Sequence, residues 1–123
     1  RKEIISRYDT AFKPLGVETL PHYIDNAQSS GHLYITRVPG ITAEQRNEII
    51  IKMAEHGVAT NVHYKPLPMH TAYKNLGFNI HDYPNAYDHF ANEITLPLHT
   101  CLTDEDVEYV IEKYTETLNH YLK

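Results

Sequence analysis

His32-Leu33-Tyr34-Ile35-Thr36-Arg37-Val38-Pro39-Gly40-Ile41-Thr42-Ala43-Glu44-Gln45 is the stretch that decides the fold. Its first half is β-branched and aromatic, bounded by Gly31 and Pro39-Gly40, and predicts a strand over His32–Val38. Thr42-Ala43-Glu44-Gln45 carries the capping-box pattern, in which a Thr hydroxyl and a Gln side chain satisfy free N–H groups reciprocally. The helix after it should bury Ile49, Ile50 and Met53 and end at Gly57, where a left-handed residue is wanted. Beyond it, Val58 to Tyr64 reads as a second strand, with Val58, Thr60, Val62 and Tyr64 on one face and Ala59, Asn61 and His63 on the other.

The flanks extend this pattern of strands and helices. Residues 1–13 read as an amphipathic helix with Ile4, Ile5, Tyr8 and Phe12 at helical spacing, stopped by Pro14 and Gly16. Asp25 to Gly31 is polar and turn-rich, a loop. Between Lys65 and Pro84 the chain is irregular, with room for one short helix around His70–Leu76, and another short helix should start at Pro84 and run to about Asn92. Ile94 to His99 alternates like a strand, but Pro97 cannot donate to a ladder and belongs at an edge or bulge. Thr103, followed by Asp104, Glu105 and Asp106, caps a last helix and places acids at its positive end. The buried stripe of that helix would be Val107, Val110, Ile111, Tyr114, Leu118, Tyr121 and Leu122. The expected fold is an α/β sandwich, a small mixed or antiparallel sheet covered by helices, in a single domain over residues 1–123.

Composition narrows the possible functions. The 123 residues are 41% hydrophobic, enough for a core, and carry a formal charge of -5. With that sign and no basic run, nucleic acid and anionic membrane are poor partners. No apolar run approaches the roughly 18 residues of a membrane span. The single Cys101 excludes an internal disulfide and fits a reducing, cytoplasmic setting. The chain opens at Arg1 inside a helical pattern, and the expectation is a piece of something longer.

Most chemical motifs are missing. The nine histidines are never closer than seven residues apart, so none of them form the one-turn pairs a helical zinc site uses, and no metal is expected. The glycines are isolated, without a P-loop or dinucleotide fingerprint. Cys101 precedes a helix start, yet only His99 is near it, and an ordinary half-buried cysteine is the simpler reading. The acids at 104–106 are explained by the helix dipole. One segment stands out: Asn61-Val62-His63-Tyr64-Lys65-Pro66-Leu67-Pro68-Met69-His70. A strand there delivers a His, a Tyr and a Lys to its end, and two prolines stiffen the chain just beyond, the kind of place where α/β proteins contact ligands. Those groups suit an anionic or hydroxyl-rich ligand. The competing reading is a Pro-rich surface loop whose Tyr64 packs on the core.

His63-Tyr64-Lys65-Pro66-Leu67, after Gly57-Val58-Ala59-Thr60, resembles the "GI-x-x-x-V-HY-x-PLH" region of the DegT/DnrJ family of pyridoxal-phosphate-dependent nucleotide-sugar aminotransferases. Arg7-Tyr8 resembles that family's "RR-x-x-A-x-x-Y" helix. Ile94-Thr95-Leu96-Pro97-Leu98-His99 and Leu102-Thr103-Asp104-Glu105-Asp106-Val107 are similar to its "LPL-(Y/H)-x-x-L-(T/S)-x-x-(D/E)-V" ending. The match runs in order along essentially the whole chain.

The resemblance implies the C-terminal small domain of a fold-type-I aminotransferase. The Schiff-base lysine would lie in a large domain absent here, and none of the seven lysines offers a substitute. The implied parent uses pyridoxal 5'-phosphate, takes an amine from a donor such as glutamate, and passes it to the keto carbon of a nucleotide-linked sugar, as a homodimer. His63 and Tyr64 match the family's substrate-side His-Tyr pair; Lys65 stands at a variable position. Pro68 replaces a His common in the family, and His70, two residues on, is a candidate stand-in. The alternative, from another class, is a free-standing binding or interaction module without catalysis.

Overall fold

The computed structural model describes residues 1–122. Five α-helices are present: α1 (Lys2–Phe12), α2 (Ala43–Glu55), α3 (Thr71–Asn75), α4 (Pro84–Ala91) and α5 (Asp104–Leu118). The strands are β1 (Glu18–Thr19), β2 (Tyr23–Ile24), β3 (Ala27–Gln28), β4 (Tyr34–Arg37) and β5 (Glu93–Leu96). β4 is the centre of a three-stranded antiparallel sheet ordered β1-β4-β5, and β2 and β3 form a separate two-stranded hairpin. The turn-rich stretch read as a loop therefore contains one arm of a small hairpin, with Tyr23 opposite Gln28.

Register fixes the two faces of the sheet. Tyr34 faces Leu96 and Thr36 faces Ile94, and these four side chains share one face. α1 and α5 cover it: the Tyr8 ring lies 4.9 Å from Tyr34, and the Tyr114 hydroxyl is 2.7 Å from that of Thr36. Ile5, Tyr8 and Phe12 of α1, and Val107, Val110, Tyr114 and Leu118 of α5, are buried as their spacing predicts. Ile111, Tyr121 and Leu122 are only partly buried. On the opposite face Ile35 pairs with Thr95 and Arg37 with Glu93. All four residues of β5 are buried, so this strand is covered on both sides.

The helix ends obey the local chemistry. Thr42 accepts from the Gln45 N–H while the Gln45 side chain takes the Thr42 N–H, and Gly57 closes α2 at φ 79°. Ile49 and Met53 are fully buried, but Ile50 is only partly so, and the third inward residue of α2 is Arg46. Its guanidinium bonds the Phe90 carbonyl and lies 4.5 Å over the Phe90 ring, tying α2 to α4. At α5, Thr103 and Asp106 make a second reciprocal cap. Two acids of the first helical turn and the next, Asp104 and Glu108, hold Arg7 of α1. Thr103→Ala should cost about 1 kcal/mol, seen as a lower urea midpoint at unchanged slope. A loss below about 0.3 kcal/mol would show that the cap is dispensable.

The expected strand over Val58–Tyr64 does not form. Only Asn61 pairs, through one antiparallel bridge to Thr95. Continuing that register would set Ala59 against Pro97, which has no N–H, and His63 against Glu93. There the His63 N–H goes to the Glu93 side chain and not to a backbone carbonyl. The ladder is thus cut on both sides of Asn61, and Tyr64 points outward, 71% exposed, so the competing reading in which it packs on the core does not hold. β5 itself ends at Leu96, one residue before the proline, at the edge of the sheet.

Candidate functional site

The segment singled out in the sequence lies along β5. Asn61 and Thr95 exchange backbone hydrogen bonds of 3.2 and 2.8 Å, and this places the next residues over the polar face of the strand. The His63 N–H donates to Glu93 Oε2 at 2.9 Å, and His63 Nδ1 lies 2.8 Å from Thr95 Oγ1. Thr95 in turn donates to Glu93 Oε1 at 2.6 Å. His63 is therefore held by backbone and ring together, half-buried against β5. The His63–Tyr64 peptide is cis. The Tyr64 ring meets the His63 ring edge-on, with centroids 4.6 Å apart.

The other two candidates are exposed. The Lys65 carbonyl accepts from His70 Nε2 at 3.3 Å. The structure thus joins His63 to Tyr64 and Lys65 to His70. Pro66, Leu67 and Pro68 then form one wall of an open apolar hollow of about 380 Å³, completed by Tyr73, Phe78 and Tyr83. Tyr64, Leu67, Leu76 and Phe78 are all exposed, and Leu67 and Phe78 share the hollow.

Glu93 and Thr95 were not singled out in the sequence. The available signal was modest: in Glu93-Ile94-Thr95-Leu96, the alternation puts two polar groups together on one face of an otherwise core strand. Glu93 is 0% exposed. A buried carboxylate needs hydrogen bonds and an opposing charge. It has the Thr95 hydroxyl and the His63 N–H, with buried Arg46 as its counter-charge: burial lowers the Arg46 pKa while the negative charge of Glu93 acts to raise it.

Neither a metal nor a cofactor lysine is built from these side chains. Among the described residues, no three His, Cys, Asp or Glu converge on a metal-sized site. A lysine that forms an imine must be desolvated or pressed by another cation to shed its proton. Lys65 and Lys74 are exposed, Lys13 and Lys113 pair with carboxylates, and Lys2 and Lys52 lie over tyrosine rings. Lys123 lies outside the described residues. These residues do not fit covalent binding of pyridoxal phosphate. Cys101, expected half-buried, is exposed and free.

A small antiparallel sheet under helices is the architecture of a domain found in solved sugar aminotransferases. The chain belongs to the DegT/DnrJ/EryC1/StrS aminotransferase family, whose model matches residues 1–115. It is 53% identical to a protein provisionally named as a sugar aminotransferase from Streptococcus pneumoniae, solved in its PMP form, with a TM-score of 0.94. That match covers 98% of this chain and 30% of the other, and the same protein in its PLP form superposes equally well, with a TM-score of 0.94. The spore coat polysaccharide biosynthesis protein SpsC of Bacillus subtilis is 35% identical over 118 residues, 91% of this chain and 30% of that protein. A Helicobacter pylori UDP-4-amino-4,6-dideoxy-N-acetyl-beta-L-altrosamine transaminase is 29% identical over 121 residues, 98% of this chain and 32% of that protein. The chain thus spans about 30% of the length of these relatives. Among the described residues, no helix is long and apolar enough to cross a membrane.

Proposed function

We propose that this chain is the C-terminal small domain of a pyridoxal-phosphate-dependent aminotransferase and forms one wall of its nucleotide-sugar site. The parent enzyme would move an amino group, from a donor such as glutamate, to the keto carbon of the sugar. His63 and Tyr64 would face the sugar, with Lys65 and His70 toward the anionic part of the substrate. The observation that carries this reading is the support of His63: a buried carboxylate and a threonine hydroxyl hold one half-buried ring at a sheet edge. A histidine that served only to fill a loop would need no such anchoring. The family supplies the reaction class, and the lysine that carries the cofactor would come from the large domain of the parent.

The same reading accounts for the partners. The exposed apolar side chains of Leu67, Leu76 and Phe78 would pack on the large domain or on the second subunit of a homodimer, and they argue against a free-standing module. Exposed, free Cys101 suits a reducing cytoplasm. The test is His63→Ala in the full-length enzyme. The kcat/KM for the nucleotide sugar should fall about 10- to 100-fold, the range for one well-placed hydrogen bond, while the cofactor absorbance is unchanged. An unchanged sugar kcat/KM removes His63 from the site.

A further inference from the structure

The two groups on the polar face of β5, Glu93 and Thr95, fix more than the position of the His63 ring. Thr95 has one hydroxyl proton, and it goes to Glu93 Oε1 at 2.6 Å. At its 2.8 Å contact with His63 Nδ1, the Thr95 oxygen can then only accept. The ring proton must therefore sit on Nδ1, which in a neutral imidazole leaves Nε2 with a bare lone pair. Nε2 takes no partner among the described residues and is not one of the buried unpartnered atoms, so it is open to a ligand. The other Glu93 oxygen receives the His63 N–H at 2.9 Å, so the whole carboxylate is engaged in holding this one residue and its threonine.

We propose that Glu93, acting through Thr95, is a positioning residue that sets His63 in the Nδ1–H tautomer and so makes Nε2 a hydrogen-bond acceptor for an O–H or N–H group of the substrate. This rests on the reading that His63 faces the substrate. It deepens that reading, because with the ring neutral Nε2 is an acceptor, and phosphate oxygens, also acceptors, cannot pair with it. His63 is thereby assigned to the hydroxyl- or amide-bearing sugar, and the diphosphate is left to other groups.

Glu93→Gln tests the relay because it keeps the shape and changes one donor. In that variant the amide oxygen must face the His63 N–H, since two donors cannot share a bond. The amide NH2 then faces Thr95 and donates to it, the Thr95 hydroxyl turns to donate to Nδ1, and the ring proton moves to Nε2. The full-length enzyme labelled with [15N]histidine is read by NMR at mildly alkaline pH, where imidazoles are neutral. The His63 signals are assigned by their loss in His63→Ala.

The expected result is an Nδ1–H ring in the natural protein and an Nε2–H ring in Glu93→Gln, with KM for the sugar raised about tenfold or more and kcat less affected. An Nδ1–H ring that persists in Glu93→Gln overturns the relay. If Glu93→Gln fails to fold, Thr95→Ser and Thr95→Val decide. Serine keeps the hydroxyl and should keep both tautomer and KM. Valine should release the tautomer and raise KM, and an Nδ1–H ring in Thr95→Val overturns the proposal. If instead the tautomer behaves as expected but His63→Ala leaves the sugar kcat/KM unchanged, the substrate assignment fails while the relay survives.

Discussion

Replacing Tyr114 by Ala is expected to remove about 3–5 kcal/mol of stability, the range for deleting a large aromatic side chain from a packed core. The ring is 0% exposed and meets the Phe12 ring edge-on at 5.2 Å and 88°, so it fixes α5 against α1. Its hydroxyl has a definite role as well. Thr36 Oγ1 donates its proton to the Ile94 carbonyl at 2.6 Å, so at the 2.7 Å contact Tyr114 must be the donor to Thr36. One residue thus joins two helices to the two longest strands of the sheet. Tyr114→Phe keeps the ring and loses only that bond, at about 1 kcal/mol. Equilibrium urea unfolding of both variants separates the contributions. Equal losses in Tyr114→Ala and Tyr114→Phe would mean that the hydrogen bond, and not the packed ring, holds the layers together. With stabilities of about 5–15 kcal/mol usual for such domains, a loss of that size is a large share of the whole.

The role of Tyr114 in the core was visible in the sequence, and its partner was not. Helical spacing and capping boxes are local signals, which is why α1, α2 and α5 begin and end close to where Pro14, Thr42, Gly57 and Thr103 place them. The same holds for β4, bounded by glycine and proline. Val58–Tyr64 failed for a non-local reason. Alternation describes a strand with a continuous neighbour, and here the neighbour offers Pro97 on one side of Asn61 and the Glu93 side chain on the other. The consequence reaches the site. His63 and Tyr64 were marked by their place ahead of a rigid loop, and the structure sets them apart in burial, with His63 held over β5 and Tyr64 in the open. Glu93 and Thr95, about thirty positions further along the chain, could be joined to His63 only by the sheet. Arg46 escaped for a related reason: a charged residue on an inward helical position looks like an error of periodicity until Glu93 and Phe90 are seen beside it.

Raising the pH above about 10 should unfold the protein steeply, because tyrosines that are buried here ionise near that pH once the chain is unfolded. Tyr8, Tyr34 and Tyr114 are all 0% exposed, and burial raises the pKa of each well above the usual tyrosine value. Each hydroxyl is also a donor that its acceptor would lose on ionisation: Tyr8 to the Pro97 carbonyl at 2.8 Å, Tyr34 to Asp9 at 2.6 Å, Tyr114 to Thr36. For Tyr34, the Asp9 bond and charge push further in the same direction, whereas the charge of Arg7 partly opposes the shift of Tyr8. Proton counts give the sign. Above the unfolded value, the unfolded chain has released these protons and the folded one retains them. Stability is therefore full below about pH 10 and falls as pH rises toward the folded values. Each retained proton contributes about 1.4 kcal/mol per pH unit, so the three together contribute about 4 kcal/mol per unit. Over one to two units that is comparable with the whole stability of a domain this size. Phenolate absorbance and far-UV circular dichroism, tracked together against pH, should show the buried tyrosines ionising only as the helices are lost. Tyr34→Phe removes one of the three protons and should lower the slope by about a third, while Asp9 keeps Lys13 as a partner at 3.8 Å. All ten tyrosines titrating near pH 10 with helicity intact would mean that these three hydroxyls are reached by water and that the aromatic layer between α1, α5 and the sheet is not closed.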